Sequence, residues 1–131
     1  MRFVPLISCL LLVTGCGESP TAPTVSLNSE FVLAPGSAAT IDGASMTVRF
    51  NDVSGDSRCA ADAVCVWGGD AIVSLTVTST SGSREHDLHT GTMQPVKHDD
   101  ITIALVQLAP YPFSSIPIQP GDYRATLKAT R

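Results

Sequence analysis

Apolar and polar residues alternate with a period of two in several stretches of the chain. Met46, Val48 and Phe50 alternate with Thr47, Arg49 and Asn51, and Ala71, Val73, Leu75 and Val77 alternate with Ile72, Ser74, Thr76 and Thr78. Near the end, Tyr123, Ala125, Leu127 and Ala129 alternate with Arg124, Thr126, Lys128 and Thr130. Successive side chains of a strand point to opposite faces, so each stretch predicts a strand with one buried face. Glu30–Leu33 is a shorter candidate, closed by Pro35-Gly36. Ser81-Gly82-Ser83 predicts a hairpin turn leading into a strand over 84–90. Ile101, Ile103 and Leu105 set a phase that slips toward Val106 and Leu108, which predicts a bulge or the strand's end.

No window sustains a 3.6-residue apolar period, and Val, Ile and Thr suit strands better than helices. About six half-apolar strands bury their faces either between two packed sheets or inside one closed barrel. The expected fold is all-β: a small antiparallel β-sandwich, Greek-key or immunoglobulin-like, over residues 25–131. The stretch 109–121 carries four prolines, which excludes it from a central strand and predicts an extended crossover between the last two strands.

The N-terminus follows another pattern. Met1-Arg2 supplies a positive charge, residues 3–13 form an apolar run of 11, and Thr14-Gly15-Cys16 closes it with small residues. That order reads as a secretory signal peptide over 1–15. The run is too short to span a bilayer, which takes about 20 apolar residues. Val13-Thr14-Gly15-Cys16 resembles the bacterial lipobox. The resemblance implies diacylglycerol on the Cys16 thiol, cleavage just before Cys16 and acylation of the new amine. Two or three acyl chains hold a membrane stably where one does not. Gly17 stands where an aspartate typically marks inner-membrane retention, so the resemblance implies the outer membrane, with the domain in the periplasm or on the surface. Residues 16–24 then read as the lipidated cysteine and a small, polar, Pro-containing tether.

Charge adds exclusions. Loss of Arg2 leaves 7 cationic against 12 acidic residues, and the cations are scattered singly. No basic stripe is available to neutralise phosphates, so nucleic acid is not expected as a partner. A polybasic route to anionic lipid is missing too, which leaves the acyl chains of Cys16 as the expected membrane attachment.

Cys9 leaves with the signal peptide and Cys16 is lipidated, so Cys59 and Cys65 remain. An oxidising compartment makes a disulfide between them the default, and a loop so short contributes about 2 kcal/mol in the loop-entropy picture. Their five-residue gap suits neither a metal knuckle nor a redox motif, both of which use C-x-x-C. The sole Trp, Trp67, is expected to cover the disulfide and close one end of the core; the alternative is an exposed anchor for a partner. Asp56 and Arg58 either pair with each other or the loop backbone, or face a ligand. If a partner binds, the surface around Asp56, Arg58 and Trp67 is the candidate.

The pattern D-S-R-C-x5-C-x-W-x-G, here Asp56-Ser57-Arg58-Cys59, Cys65, Trp67 and Gly69, precedes an alternating strand. Pro110-Tyr111-Pro112 and Tyr123 follow it. Together they resemble a family of small bacterial exported lipoproteins. The resemblance covers most of the mature domain and brings no mechanism with it; Ala60 departs from the proline common after the first Cys.

Gly55-Asp56-Ser57 matches a serine-protease nucleophile loop only in part, because Arg58-Cys59 replaces the glycines that should follow. His86, His89 and His98 with Asp87, Asp99 and Asp100 form the one plausible metal cluster, with His89, His98 and Asp99 as weak candidates for Zn²⁺ or Cu²⁺. On a strand, His86 and His89 would face opposite sides. Asp52, Asp56 and Asp62 lack calcium-loop order, and no phosphate-binding glycine loop occurs. No cofactor is expected. The expected function is therefore a non-catalytic binding or envelope-structural module on a lipid tether. The alternatives are an inhibitor of extracytoplasmic hydrolases and a periplasmic metal-binding protein.

Overall fold

The computed structural model describes residues 22–131. The expected signal peptide over 1–15, the lipidated Cys16 and the tether as far as residue 21 lie outside the described residues.

Among the described residues nine strands make the fold: β1 (Thr24–Val25), β2 (Glu30–Leu33), β3 (Ala38–Ile41), β4 (Met46–Asp56), β5 (Ala71–Ser79), β6 (Gly82–His89), β7 (Val96–His98), β8 (Ile101–Ala109) and β9 (Arg124–Thr130). They form a five-stranded sheet in the order β1-β3-β4-β5-β6 and a four-stranded sheet in the order β2-β9-β8-β7. Each sheet is largely a meander, with the chain crossing between sheets around β2 and between β6 and β7. The two sheets enclose one core, so the protein is a small β-sandwich. Every paired strand is antiparallel except β1, which runs parallel to β3. The detour through β2 in the other sheet returns the chain in its original direction, which makes that parallel pair possible.

The alternating positions fill the core as their period dictates. Met46, Val48 and Phe50, the odd-numbered apolar positions of β5, and Ala125, Leu127 and Ala129 are all buried, with Phe31, Leu33, Ile101, Ile103 and Leu105 facing them. The phase slip in β8 is a bulge between Leu105 and Gln107; it turns Val106 outward and returns Leu108 to the core. The hairpin between β5 and β6 turns on Thr80 and Ser81, because Ser79 already pairs with Gly82. Gly82 is the first residue of β6, at φ +127°. Thr24, read as the end of the tether, is the first residue of β1.

Three short strands escape the period-two signal: β1, β3 and β7. The upper half of β4 escapes it too, because bulges after Phe50 and Val53 break the alternation.

The register separates two ends. Short connections at 26–29, 42–45, 80–81 and 99–100 form the turn end. The long segments 57–70, 90–95 and 110–123 form the loop end. The stretch 109–121 is the crossover between the last two strands, with an isolated bridge from Phe113 to Ile116 and a 3-10 turn at Pro120–Asp122.

Candidate functional site

At the loop end the β4–β5 ladder continues as a narrow neck. Ser57 N donates to Asp70 O at 2.7 Å, and Cys59 N donates to Gly68 O at 3.0 Å. Gly69 sits in this neck at φ +69°, and a Cβ there would lie 1.9 Å from the Ser57 carbonyl oxygen, so the crossing admits only glycine. Beyond the neck the Cys59–Cys65 disulfide closes the loop. The expected staple is present.

The loop is also bolted to the proline-rich crossover. Ala61 N donates to Pro112 O at 2.8 Å, and Ser114 donates to the Asp62 carboxylate through its backbone N and its hydroxyl. Underneath lies a brace centred on Arg58. Its guanidinium donates two bonds to Asp56, at 2.9 and 2.8 Å, one to Leu108 O at 2.9 Å and one to Pro110 O at 3.0 Å. The Tyr123 hydroxyl donates to Asp56 at 2.9 Å, and Arg58 lies 5.7 Å from the centre of the Tyr111 ring. The side chains of Asp56 and Arg58 are largely covered. They pair with each other and with backbone, as the first of the two expectations had it.

Burial alone would raise the Asp56 pKa; the hydrogen bonds from Arg58 and Tyr123 outweigh it and hold the carboxyl below its ordinary value. The same desolvation, with the bond to Asp56, pushes the Tyr123 phenol up. Of the motif residues, Asp56, Arg58, Cys59, Cys65, Pro110, Tyr111, Pro112 and Tyr123 form the brace, its staple and the crossover it grips; Ser57 and Gly69 form the neck, and Trp67 lies beyond it.

Trp67 is a correction. Expected to cap the core, its ring is 81% exposed, and Tyr123 and Arg58 close that end of the core in its place. The neck explains this: by residue 67 the chain has left both sheets, and the tight crossing at Gly69 holds the tip outside them. Val64 and Val66 beside it are fully exposed. Nine large apolar residues are exposed among the described residues, and seven lie in the loops of this end: Val64, Val66, Trp67, Met93, Tyr111, Phe113 and Ile116. An eighth, Val106, shares a concavity with Met93 and Tyr111. Sequence reasoning passed over Val64, Val66, Met93, Phe113 and Ile116. The available signal was apolar residues without alternation between glycines and prolines, where no strand can bury them.

The histidines divide. His86 and His98 lie inside the open edge between β6 and β7, His98 being almost fully buried. His86 Nε2 and His98 Nδ1 are 3.2 Å apart, His98 Nε2 is 3.1 Å from Ser79 Oγ, and Ser79 Oγ donates to Asp99 at 2.6 Å. The single hydroxyl proton of Ser79 goes to Asp99, so His98 Nε2–H donates to Ser79. Burial lowers the His86 pKa, helped by the neighbouring His98. Ser81 also donates to Asp99, and these serine bonds lower the Asp99 pKa.

His89 faces the other side of β6, where Nδ1 meets Asp70 at 2.6 Å; the bond from His89 leads the lowering of the Asp70 pKa. Of the candidates, His98 and Asp99 are brought together, with Nε2 3.9 Å from the carboxylate, but His89 lies on the other face of β6 and does not join them. Among the described residues, no group of three or more His, Cys, Asp or Glu is placed to hold a metal ion. Ser79 is within reach of an imidazole, but the carboxylate takes the serine's own proton instead of orienting the ring, which reverses the order a nucleophilic triad uses.

Among the described residues, no helix is long and apolar enough to cross a membrane. Comparisons with protein families, curated proteins and solved structures find no match to the chain.

Proposed function

We propose that the chain is an exported bacterial lipoprotein whose sandwich serves outside the cytoplasm as a non-catalytic interaction or envelope-structural module. In this reading residues 1–15 direct export, Cys16 carries the acyl chains at the outer membrane, and residues 17–23 tether the domain. The observation that carries the module half is the loop end. A staple, a largely covered ion pair and two inter-loop contacts hold six exposed apolar side chains in place, with Met93 beside them, and soluble monomers seldom gather such residues without an interaction to serve. The Cys59–Cys65 bond accords with an oxidising compartment.

Expression in a Gram-negative host with labelled palmitate tests the anchor. The mature chain should begin at Cys16, carry label and fractionate with the outer membrane, and Cys16→Ser should lose the label. A mature chain that starts elsewhere and carries no fatty acid overturns the proposal.

One observation favours a second reading, an inhibitor of extracytoplasmic hydrolases: the tip is a closed loop held at its neck and projecting from a rigid scaffold, the form that enters clefts with little ordering cost. Titration against a panel of hydrolases distinguishes it. Stoichiometric loss of one activity, abolished by Trp67→Ala, would replace the structural role.

A further inference from the structure

We infer that the loop end lies against the bilayer that holds Cys16, giving the domain a second, non-covalent membrane contact; this rests on the lipoprotein reading above. The first support is the direction of β1. It runs parallel to β3, toward the turn end, so the chain reaches Thr24 from the side of the loop end. Pro23 already lies on that path, its carbonyl accepting from Thr40 N at 2.8 Å.

Length is the second support. Thr24 is level with Thr40, Thr47 and Thr78. From Thr78 to Ala71, which is level with Asp56 at the neck, β5 rises seven residues, about 23 Å at a strand's rise. Eight residues separate Thr24 from Cys16, a reach of about 26 Å at the same rise. The reach and the climb match, so the anchor can stand level with the loop end on the side from which the chain arrives.

The third support is chemical. The surface at that level combines the amphipathic rings of Trp67 and Tyr111 with the apolar Phe113, Val64, Val66 and Ile116, all exposed, a mixture of the kind that settles at a membrane–water interface. It presents no free cation cluster, because Arg58 is consumed by Asp56 and two carbonyls and Arg124 by the Gly121 and Tyr123 carbonyls. The contact is therefore driven by apolar area and, the domain being net acidic, favours neutral lipid, on which it is insensitive to salt. The acyl chains of Cys16 already hold the protein at the membrane, so this contact fixes the orientation of the domain on the surface rather than keeping it there.

Trp67 is the only tryptophan, so it reports the contact directly. The acylated full-length mature protein is reconstituted into phosphatidylcholine vesicles and floated on a density gradient. On floated vesicles, brominated lipid should remove about half of the Trp67 emission, as expected for a ring seated in the outer 5–10 Å. Iodide quenching should fall relative to the same protein without its acyl chains in buffer, with no dependence on salt. Val64→Asp combined with Val66→Asp should restore iodide access while the protein still floats.

Trp67 equally open to iodide on floated vesicles would overturn the inference and leave the lipoprotein reading intact. So would protection from iodide that grows with protein density and ignores brominated lipid, the mark of self-association. Protein that carries no fatty acid and does not float removes the reading itself, and the inference falls with it.

Discussion

The two ends of the sandwich solve the same problem in opposite ways. At the turn end the strands are joined by short turns and the polar groups satisfy one another: His86, His98, Ser79, Ser81 and Asp99 form a continuous set of hydrogen bonds. At the loop end the connections are long, and their shape comes from one disulfide and one buried guanidinium, while apolar side chains are left outside. Residues kept outside at a structural cost serve something other than the fold. A domain of this size has little stability to spare, so the bracing marks where the surface has to keep its shape.

Arg58→Ala breaks this contrast most severely. It strands Asp56 beside two carbonyls that have lost their donor, and should destabilise the domain by about 3 kcal/mol in chemical denaturation. The same brace gives the loop end its pH dependence. The folded pKa of Asp56 lies below the unfolded one, so its contribution is complete above about pH 4 and is lost as pH falls through the folded value. In acid titrations followed by the melting temperature, Asp56→Asn should start less stable and show a shallower decline.

Removing the staple with Cys59→Ala and Cys65→Ala should cost about 2 kcal/mol, read from denaturant midpoints under non-reducing conditions. Ser79→Ala at the turn end should cost only about 1 kcal/mol, since it removes a hydrogen-bonding hydroxyl and leaves the packing intact. Trp67→Ala should shift stability by less than about 0.5 kcal/mol, because an exposed ring has little packing to lose. A large loss there would return the ring to the core and erase the contrast.

The fold was legible where the period was long enough to read. β5 and β9 keep strict alternation over most of their length, and every inward position named for them is buried. Two- to four-residue strands such as β1, β3 and β7 carry too few alternations to stand out and are defined by their partners across the sheet. The cysteine staple was legible from the cysteine count together with the expectation of an oxidising compartment. The brace was only half legible, because Asp56 and Arg58 are neighbours in sequence but Leu108, Pro110 and Tyr123 reach them through tertiary structure. Trp67 misled for a physical reason: its size argues for burial, yet its place is set by the backbone crossing at Gly69.

The Arg58 brace also sets an order of events. Its bonds join residues 50 and 52 positions apart, and the Tyr123–Asp56 bond spans 67. A chain emerging N-terminus first displays Val64, Val66 and Trp67 well before β8 and β9 exist to seat the guanidinium beneath them. The tip therefore acquires its final shape among the last steps of folding, and its apolar side chains stay without their brace until the C-terminal strand has arrived.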